Sequence, residues 1–208
     1  MPKLSKRLAA PVREQQIVTE AVRFFAEFGF NGQTRELAQR LGITQPLLYR
    51  YFPTKQDLIE RVFDELFLKR IDPQWATLIT DRSRPLGERL VDFYQRYARM
   101  TYTYEWIRIY MFSALMGNDI NRRYIKIVED KILKPICAEI RHYLGQPTTA
   151  TRPVGEAELE HLWIMHGGIF YYAVRKHVYH SRVSEDFAGV VRHAVTTMLA
   201  GLKATGLP

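Results

Sequence analysis

One cysteine, Cys137, stands among 208 residues. A lone thiol excludes an internal disulfide and a cysteine-built zinc site, and it points to a reducing, cytoplasmic setting. No stretch of about 18 uncharged apolar residues occurs, so no transmembrane helix is expected. The basic start, MPKLSKRLAAPVREQQ, lacks the apolar segment of a secretory signal. Strand-like alternation of useful length is missing, as are internal repeats and low-complexity tracts. There is no glycine-rich phosphate loop, dinucleotide fingerprint or Ser/His/Asp order. No catalytic residue, cofactor or metal is therefore expected.

What remains is helical periodicity from nearly end to end. The chain is 47% hydrophobic and 25% charged, enough to bury a core. Its formal net charge of +8 is unevenly spread: residues 1–55 hold nine Lys/Arg against four Glu, while the rest holds 21 basic against 18 acidic side chains. A basic segment joined to a nearly neutral bulk is what an anionic polymer partner requires. The arm residues Lys3, Lys6, Arg7 and Arg13 add to it and are expected either to reach a minor groove or phosphates or to be disordered.

The spacing predicts about nine helices and no sheet. The first runs from Val12 to Phe28, with Ile17, Ala21, Phe24, Phe25 and Phe28 on one face and Gly29 at its end. A short helix follows near Arg35–Arg40, with Leu37 and Leu41 inward, and Gly42 breaks it. Thr44 caps the next, Gln45–Phe52, which Pro53 closes. Thr54 caps a fourth, Lys55–Lys69, whose stripe is Leu58, Val62, Leu66 and Phe67. Residues 72–87 read as a connection with a partial turn. Further helices are expected over 86–104, 105–117, 121–144, 156–179 and 185–202, the last capped by Ser184, with residues 145–155 as the clearest loop.

Two short helices joined by a tight turn at Leu41–Ile43, backed by a longer helix, form a helix-turn-helix, whose second helix enters the major groove. Leu48 and Phe52 have buried spacing, so Gln45, Pro46, Leu47, Tyr49 and Arg50 are what that helix presents. The Gln45 amide matches the N6/N7 edge of adenine, and Pro46 and Leu47 match thymine methyls. Arg50 reaches a guanine edge or a phosphate. The hydroxyls of Tyr49 and Tyr51 suit phosphate oxygens, which position without specifying. Lys55, in the first turn of the fourth helix, is expected to hold a phosphate together with that helix N-terminus. Pro46 falls in the first turn, where its missing N–H costs the helix little.

The stretch GQTRELAQRLGITQPLLYRYFPTKQDLIERVF resembles the DNA-binding domain of the tetracycline-repressor (TetR) family, over roughly residues 12–68. Gly29, Ala38, and Tyr49 with Phe52 ahead of Lys55 carry that resemblance. It implies an all-α homodimer with an N-terminal three-helix helix-turn-helix domain and a C-terminal helical bundle that binds a small inducer and dimerises through the last two helices. Residues 1–54 are then the arm and DNA-binding domain, and residues 55–208 the sensing and dimerisation domain. Position by position, it implies that Thr34 touches the DNA backbone, Arg35 reads a guanine, Gln45 and Pro46 read base edges and methyls, and Tyr49 and Lys55 hold phosphates. Thr44 joins this set as the cap. Leu47 departs from the small residue common at its place, and Arg50 and Tyr51 vary, so the operator sequence does not transfer. The expected function is a one-component regulator, a repressor released from a palindromic operator by a small hydrophobic or aromatic effector. A second possibility keeps the fold but replaces the effector with a protein partner.

For the C-terminal part, HLWIMHGGIFYYAVRKHVY is apolar nearly all round, so it is covered on all sides, either wholly by its own chain or partly by a second copy, and the resemblance implies the second copy. Gly168, Tyr172, Val191, Ala194, Val195 and Met198 are the expected dimer contacts. Tyr97, Trp106, Tyr110, Tyr124, Trp163, His166 and Phe170 are the candidate effector lining, a list that also fits an ordinary aromatic core, with no cluster of Lys or Arg to demand an acidic effector. One enzymatic reading competes. Glu139 with His142, and Glu158 with His161, are both Glu-x-x-His, as in di-iron helical bundles. Both motifs lie beside a loop, where water competes for ligands, and no well-placed further Glu completes a site.

Overall fold

The computed structural model describes residues 9–117 and 119–205. The arm residues Lys3, Lys6 and Arg7 lie outside them. Eleven α-helical segments and two π-helical turns follow one another, with no strand among the described residues. No helix among them is long and apolar enough to cross a membrane. By contacts the chain gathers into two compact units, one of residues 1–70 and 104–118, the other of residues 71–103 and 119–208. The division at residue 54 concerns roles; these units concern contacts.

The first unit holds α1 (Ala10–Phe28), α2 (Thr34–Arg40), α3 (Gln45–Tyr51), α4 (Lys55–Phe63) and α7 (Tyr104–Leu115). A π-helical turn over Asp64–Leu68 extends α4. Ile17, Ala21, Phe24 and Phe25 of α1 are fully buried, as the spacing predicts. Phe28, expected beside them, is 46% exposed instead. Its ring leans on Phe24 and is covered by the Arg40 guanidinium, 4.8 Å from its centre, a cation–π contact that keeps it at the surface. Gly29 ends α1 at φ +69°, and the Phe112 ring of α7 lies 3.1 Å from where a Cβ would stand. Helix α7 is fastened to α1 again by Arg108, which donates to the Ala26 carbonyl at 2.5 Å.

The second unit holds α5 (Gln74–Thr80), α6 (Leu86–Thr101), α8 (Ile120–Val128), α9 (Lys134–Tyr143), α10 (Glu156–His177) and α11 (Phe187–Thr205). Two differences account for eleven segments where nine are expected. The stretch read as a connection contains α5, which buries Trp75 and Ile79. The helix expected over 121–144 is interrupted by a π-helical turn at Glu129–Leu133, just ahead of Pro135. Proline has no N–H and its ring crowds the carbonyl four residues back, so a regular helix cannot run through it. A π turn widens the path at that point. The cap of α11 is also corrected: Asp186 accepts from the Gly189 N–H at 2.8 Å, while the Ser184 carbonyl takes the Tyr172 hydroxyl.

Candidate nucleic-acid interface and effector core

The turn between α2 and α3 is set by one residue. Gly42 adopts φ +63°, with its N–H on the Gln39 carbonyl and the Ile43 N–H on the Ala38 carbonyl. This pair of bonds closes α2 and needs a left-handed residue, which glycine supplies without a Cβ penalty. The chain then enters α3 through Thr44, whose hydroxyl accepts from the Leu47 N–H at 3.3 Å. Pro46 sits within the first turn and is exposed. Leu48 and Phe52 are buried and hold α3 against its backing.

The remaining side chains of α3 face outward or sideways. Arg50 is exposed, as is Arg35 at the start of α2; Gln45, Leu47 and Tyr51 are half-buried. Three of the named residues form one connected chain: the Gln45 amide donates to the Thr34 hydroxyl at 3.0 Å, and Thr34 shares a second 3.0 Å bond with the Tyr49 hydroxyl. Thr34 is 8% exposed, so it acts here as a hub orienting a helix-α3 amide and a tyrosine. Sequence spacing does not disclose this link, because the three side chains meet only once the turn at Gly42 has folded.

Lys55 opens α4 and donates from Nζ to the Gly32 carbonyl at 2.8 Å. Burial lowers its pKa, with the neighbouring Tyr49 opposing that shift. Gly32 is needed at its place, because a Cβ there would stand 2.4 Å from the Phe24 ring. The N-terminus of α4 is closed by its own capping box: Asp57 accepts from the Thr54 N–H at 2.8 Å, and Thr54 accepts from the Asp57 N–H at 3.1 Å.

The seven expected effector contacts fall in both units. Trp106 and Tyr110 belong to the first, where their rings stack 5.0 Å apart and Trp106 packs on Phe67. The other five are brought together in the second. Tyr97 is fully buried, lies against His166, and bonds the Tyr124 hydroxyl at 3.0 Å. Trp163 meets His166 edge-on, and Phe170 joins through Tyr102. Trp75, Phe93 and Tyr94 complete this cluster and were not foreseen; Trp75 rides on the unrecognised α5, and the other two were hidden among a helix's ordinary core positions. The Nδ1 of His166 and the hydroxyl of Tyr94 are buried there with no hydrogen-bond partner among the described residues. Burial lowers the His166 pKa to about 4, so the ring is neutral.

The expected dimer contacts divide in the same way. Val191 and Val195 are sealed inside the protomer at 0% exposure and Tyr172 at 7%, because α11 packs along α6 and α10. These three are corrected to core. Gly168 is exposed, and Ala194 and Met198 are half-buried.

The di-iron reading is overturned by how its carboxylates are used. Glu139 is held by Arg82 at 2.9 Å and by the buried Arg89 at 2.9 Å, while His142 points to solvent. Glu158 receives two 2.6 Å bonds from Arg141, and its second oxygen also closes the α10 N-terminus at Gly155. His161 bonds the Ala157 carbonyl of its own helix. Burial raises the Glu139 pKa, but the two arginines outweigh it and the net shift is downward; Arg141 lowers that of Glu158. Carboxylates so engaged do not bind a cation, and no group of three potential metal ligands occurs among the described residues. Cys137 is buried, which pushes its thiol up to about 12, so it is no nucleophile.

The family model described as bacterial regulatory proteins, tetR family, matches residues 17–62, the span from α1 into α4. The class A tetracycline repressor protein from transposon 1721 of Escherichia coli is 27% identical over 85 residues. That alignment covers 37% of this chain, and the chain spans about two fifths of that relative's length (39%). Among solved structures, a TetR-like transcriptional regulator from Rhodococcus sp. RHA1 superposes with a TM-score of 0.68 at 20% identity, covering 94% of this chain and 100% of the other. A tetR-family regulator from Streptomyces coelicolor gives 0.62 at 18% identity, over 96% and 85% of the two chains. At such identities the likeness speaks for the fold, and it extends through both units.

Proposed function

We propose that this chain, whose residues 17–62 match the family model described as bacterial regulatory proteins, tetR family, works as a homodimeric repressor, reading a palindromic operator through α3 of each copy and released by a small effector. In this reading the chain is a DNA-binding transcription regulator, as the match over α1–α4 supports. The observation that carries the reading is the surface of α2 and α3. Leu48 and Phe52 are spent on the core, while Arg35, Pro46, Tyr49 and Arg50 stand exposed and Gln45 is oriented by Thr34. In the proposed roles, Gln45, Pro46, Leu47 and Arg35 face bases. Thr34, Thr44, Tyr49, Arg50, Tyr51 and Lys55 serve the backbone, Lys55 leaving Gly32 or adding a phosphate to it.

Two recognition helices about 34 Å apart read successive major grooves, which requires a dimer. An outward face on α10 supports one: Ile164 is 72% exposed, Tyr171 is 51% exposed, and Gly168 between them has open space where a Cβ would stand. Thr196, Thr197, Ala200 and Gly201 give α11 an exposed face of small residues. Paired with their copies, these faces make a four-helix bundle with two-fold symmetry. The aromatic core of the second unit supports a hydrophobic or aromatic effector, which acts by binding one of two states better than the other.

Selection from random duplexes with the purified protein should enrich a palindrome, and light scattering should give a dimer. In mobility shifts on that palindrome, Arg35→Ala or Gln45→Ala should relax preference at particular base pairs by about 1–3 kcal/mol each. Lys55→Ala should weaken all sequences alike, and affinity should fall steeply with salt. Variants that bind the palindrome as the parent does would remove the reading.

A further inference from the structure

A cleft of about 260 Å³ opens in the second unit between α6 and α10, beside the first residue of α11. Its floor is apolar: Tyr102 and Tyr172 are buried there, and Phe187 lies 4.9 Å from the Tyr172 ring. Its rim is charged. Arg99 of α6 and Lys176 of α10 line it with Glu185 as the one acid. Most arginines of this unit are engaged: Arg82 and Arg89 with Glu139, Arg84 and Arg96 with Asp92, Arg141 with Glu158. Arg99 and Lys176 are exposed and form no ion pair among the described residues. The sequence shows no such pair of cations, because they stand on helices far apart in the chain.

We infer that this cleft seats the effector, and that the effector is a small organic carboxylate with an apolar body. The inference rests on the ligand-responsive reading above, gives it a chemistry, and places the effector in this cleft rather than among Tyr97, Tyr124, Trp163, His166 and Phe170, none of which lines it. A guanidinium takes a carboxylate through two parallel N–H bonds, and an ammonium adds a point charge. A neutral ligand would leave both cations unanswered, and a dianion would meet Glu185. The aromatic floor takes the apolar body.

The cleft also sits where occupancy has a consequence. The Tyr172 hydroxyl donates to the Ser184 carbonyl at 2.6 Å, tying the segment before α11 to α10. Tyr102 follows directly on α6, and two residues later the chain begins α7, the helix that packs along α1 in the first unit. A ligand that moves Tyr102 therefore moves the start of a helix built into the DNA-reading unit, through the chain itself.

Isothermal calorimetry on the DNA-free protein, with octanoate and its neutral isostere octanamide, tests the site. Octanoate should bind about tenfold or more tightly than octanamide. The double variant Arg99→Gln/Lys176→Gln, both exposed positions, should lose that preference while keeping its helical melting curve. Glu185→Gln should bind octanoate more tightly. Absent binding of octanoate, equal binding of the two probes, or an unchanged preference in the double variant would overturn the inference. Mobility shifts with the selected palindrome separate it from the function it rests on. DNA held without any effect of octanoate ends the inference alone; failure to select any DNA ends the regulator reading while calorimetry still decides the site.

Discussion

The recognition surface of the first unit and the aromatic core of the second use hydrogen-bonding side chains differently. In the first unit the polar groups of α2 and α3 sit at or near the surface and are already organised: Gln45 on Thr34, Thr34 on Tyr49, Lys55 on Gly32. In the other unit polar groups are sunk into an aromatic interior, and His166 Nδ1, Tyr94 Oη and Trp75 Nε1 have no hydrogen-bond partner there. A surface that must fit a rigid duplex gains from being set beforehand. The aromatic core is instead held mainly by ring packing, and the two regions can be compared by what each loses when one side chain is changed.

The largest effect should come from the buried ion pair of the second unit. Glu139→Ala leaves Arg89, 3% exposed, with a buried charge and only the Ile79 carbonyl to answer it. Removing one partner of such a pair costs about 3–5 kcal/mol, which urea denaturation should read. If Glu139→Ala were neutral, the buried Arg89 charge would not depend on that carboxylate. Next, Leu48→Ala should cost about 3 kcal/mol, since Leu48 is 1% exposed and its loss opens a cavity behind α3. DNA affinity should fall with it, because the presented face loses its backing.

A smaller effect separates the units by pH. Burial lowers the His166 pKa from its ordinary 6.5 to about 4. Between those values the unfolded chain binds a proton that the folded chain refuses, so stability is full above about pH 6.5 and declines as pH falls toward 4. The expected loss is about 2 kcal/mol at pH 5 relative to pH 7. Denaturant midpoints of the parent and of His166→Gln, measured at both pH values, check it: the variant should lose markedly less. Glu139 and Glu158, with lowered pKa values, add to acid sensitivity only further down, as pH falls through their folded-state values.

The same contrast explains what could be read from sequence. The helix-turn-helix is local: its cap at Thr44, its turn at Gly42 and its buried Leu48 lie within a few residues of one another, so spacing and residue type suffice. Helix α5 was missed because it carries only two buried residues, Trp75 and Ile79, too few for a periodic pattern. The run through Pro135 was missed because a π turn leaves the apolar spacing nearly intact. Arg99 and Lys176 line one cleft from different helices, Glu139 and Arg89 pair across helices, and no periodicity encodes which helices pack together. Val191 and Val195 illustrate the same limit: an apolar stripe says that a face is covered, but not whether by this chain or a second copy.

The finest distinction concerns Tyr49, whose hydroxyl has both a partner in the fold and a proposed one in DNA. Its 3.0 Å bond to Thr34 is partly buried, and Tyr49 itself is 37% exposed. Tyr49→Phe keeps the ring and removes only that bond, so folding stability should fall by about 1 kcal/mol or less. Thr34 keeps the Gln45 amide, and the orientation of Gln45 should survive. If the hydroxyl's task is only to position Thr34, DNA affinity should change no more than stability does, and base preference should stay the same. If it also meets a phosphate, affinity should fall for every sequence alike with base preference unchanged, and by more than the stability loss accounts for. A shift in base preference at the Gln45 position would instead show that the Thr34–Tyr49 bond holds the reading amide in place. Side-by-side denaturation curves and mobility shifts on the palindrome and its single-base variants distinguish the three.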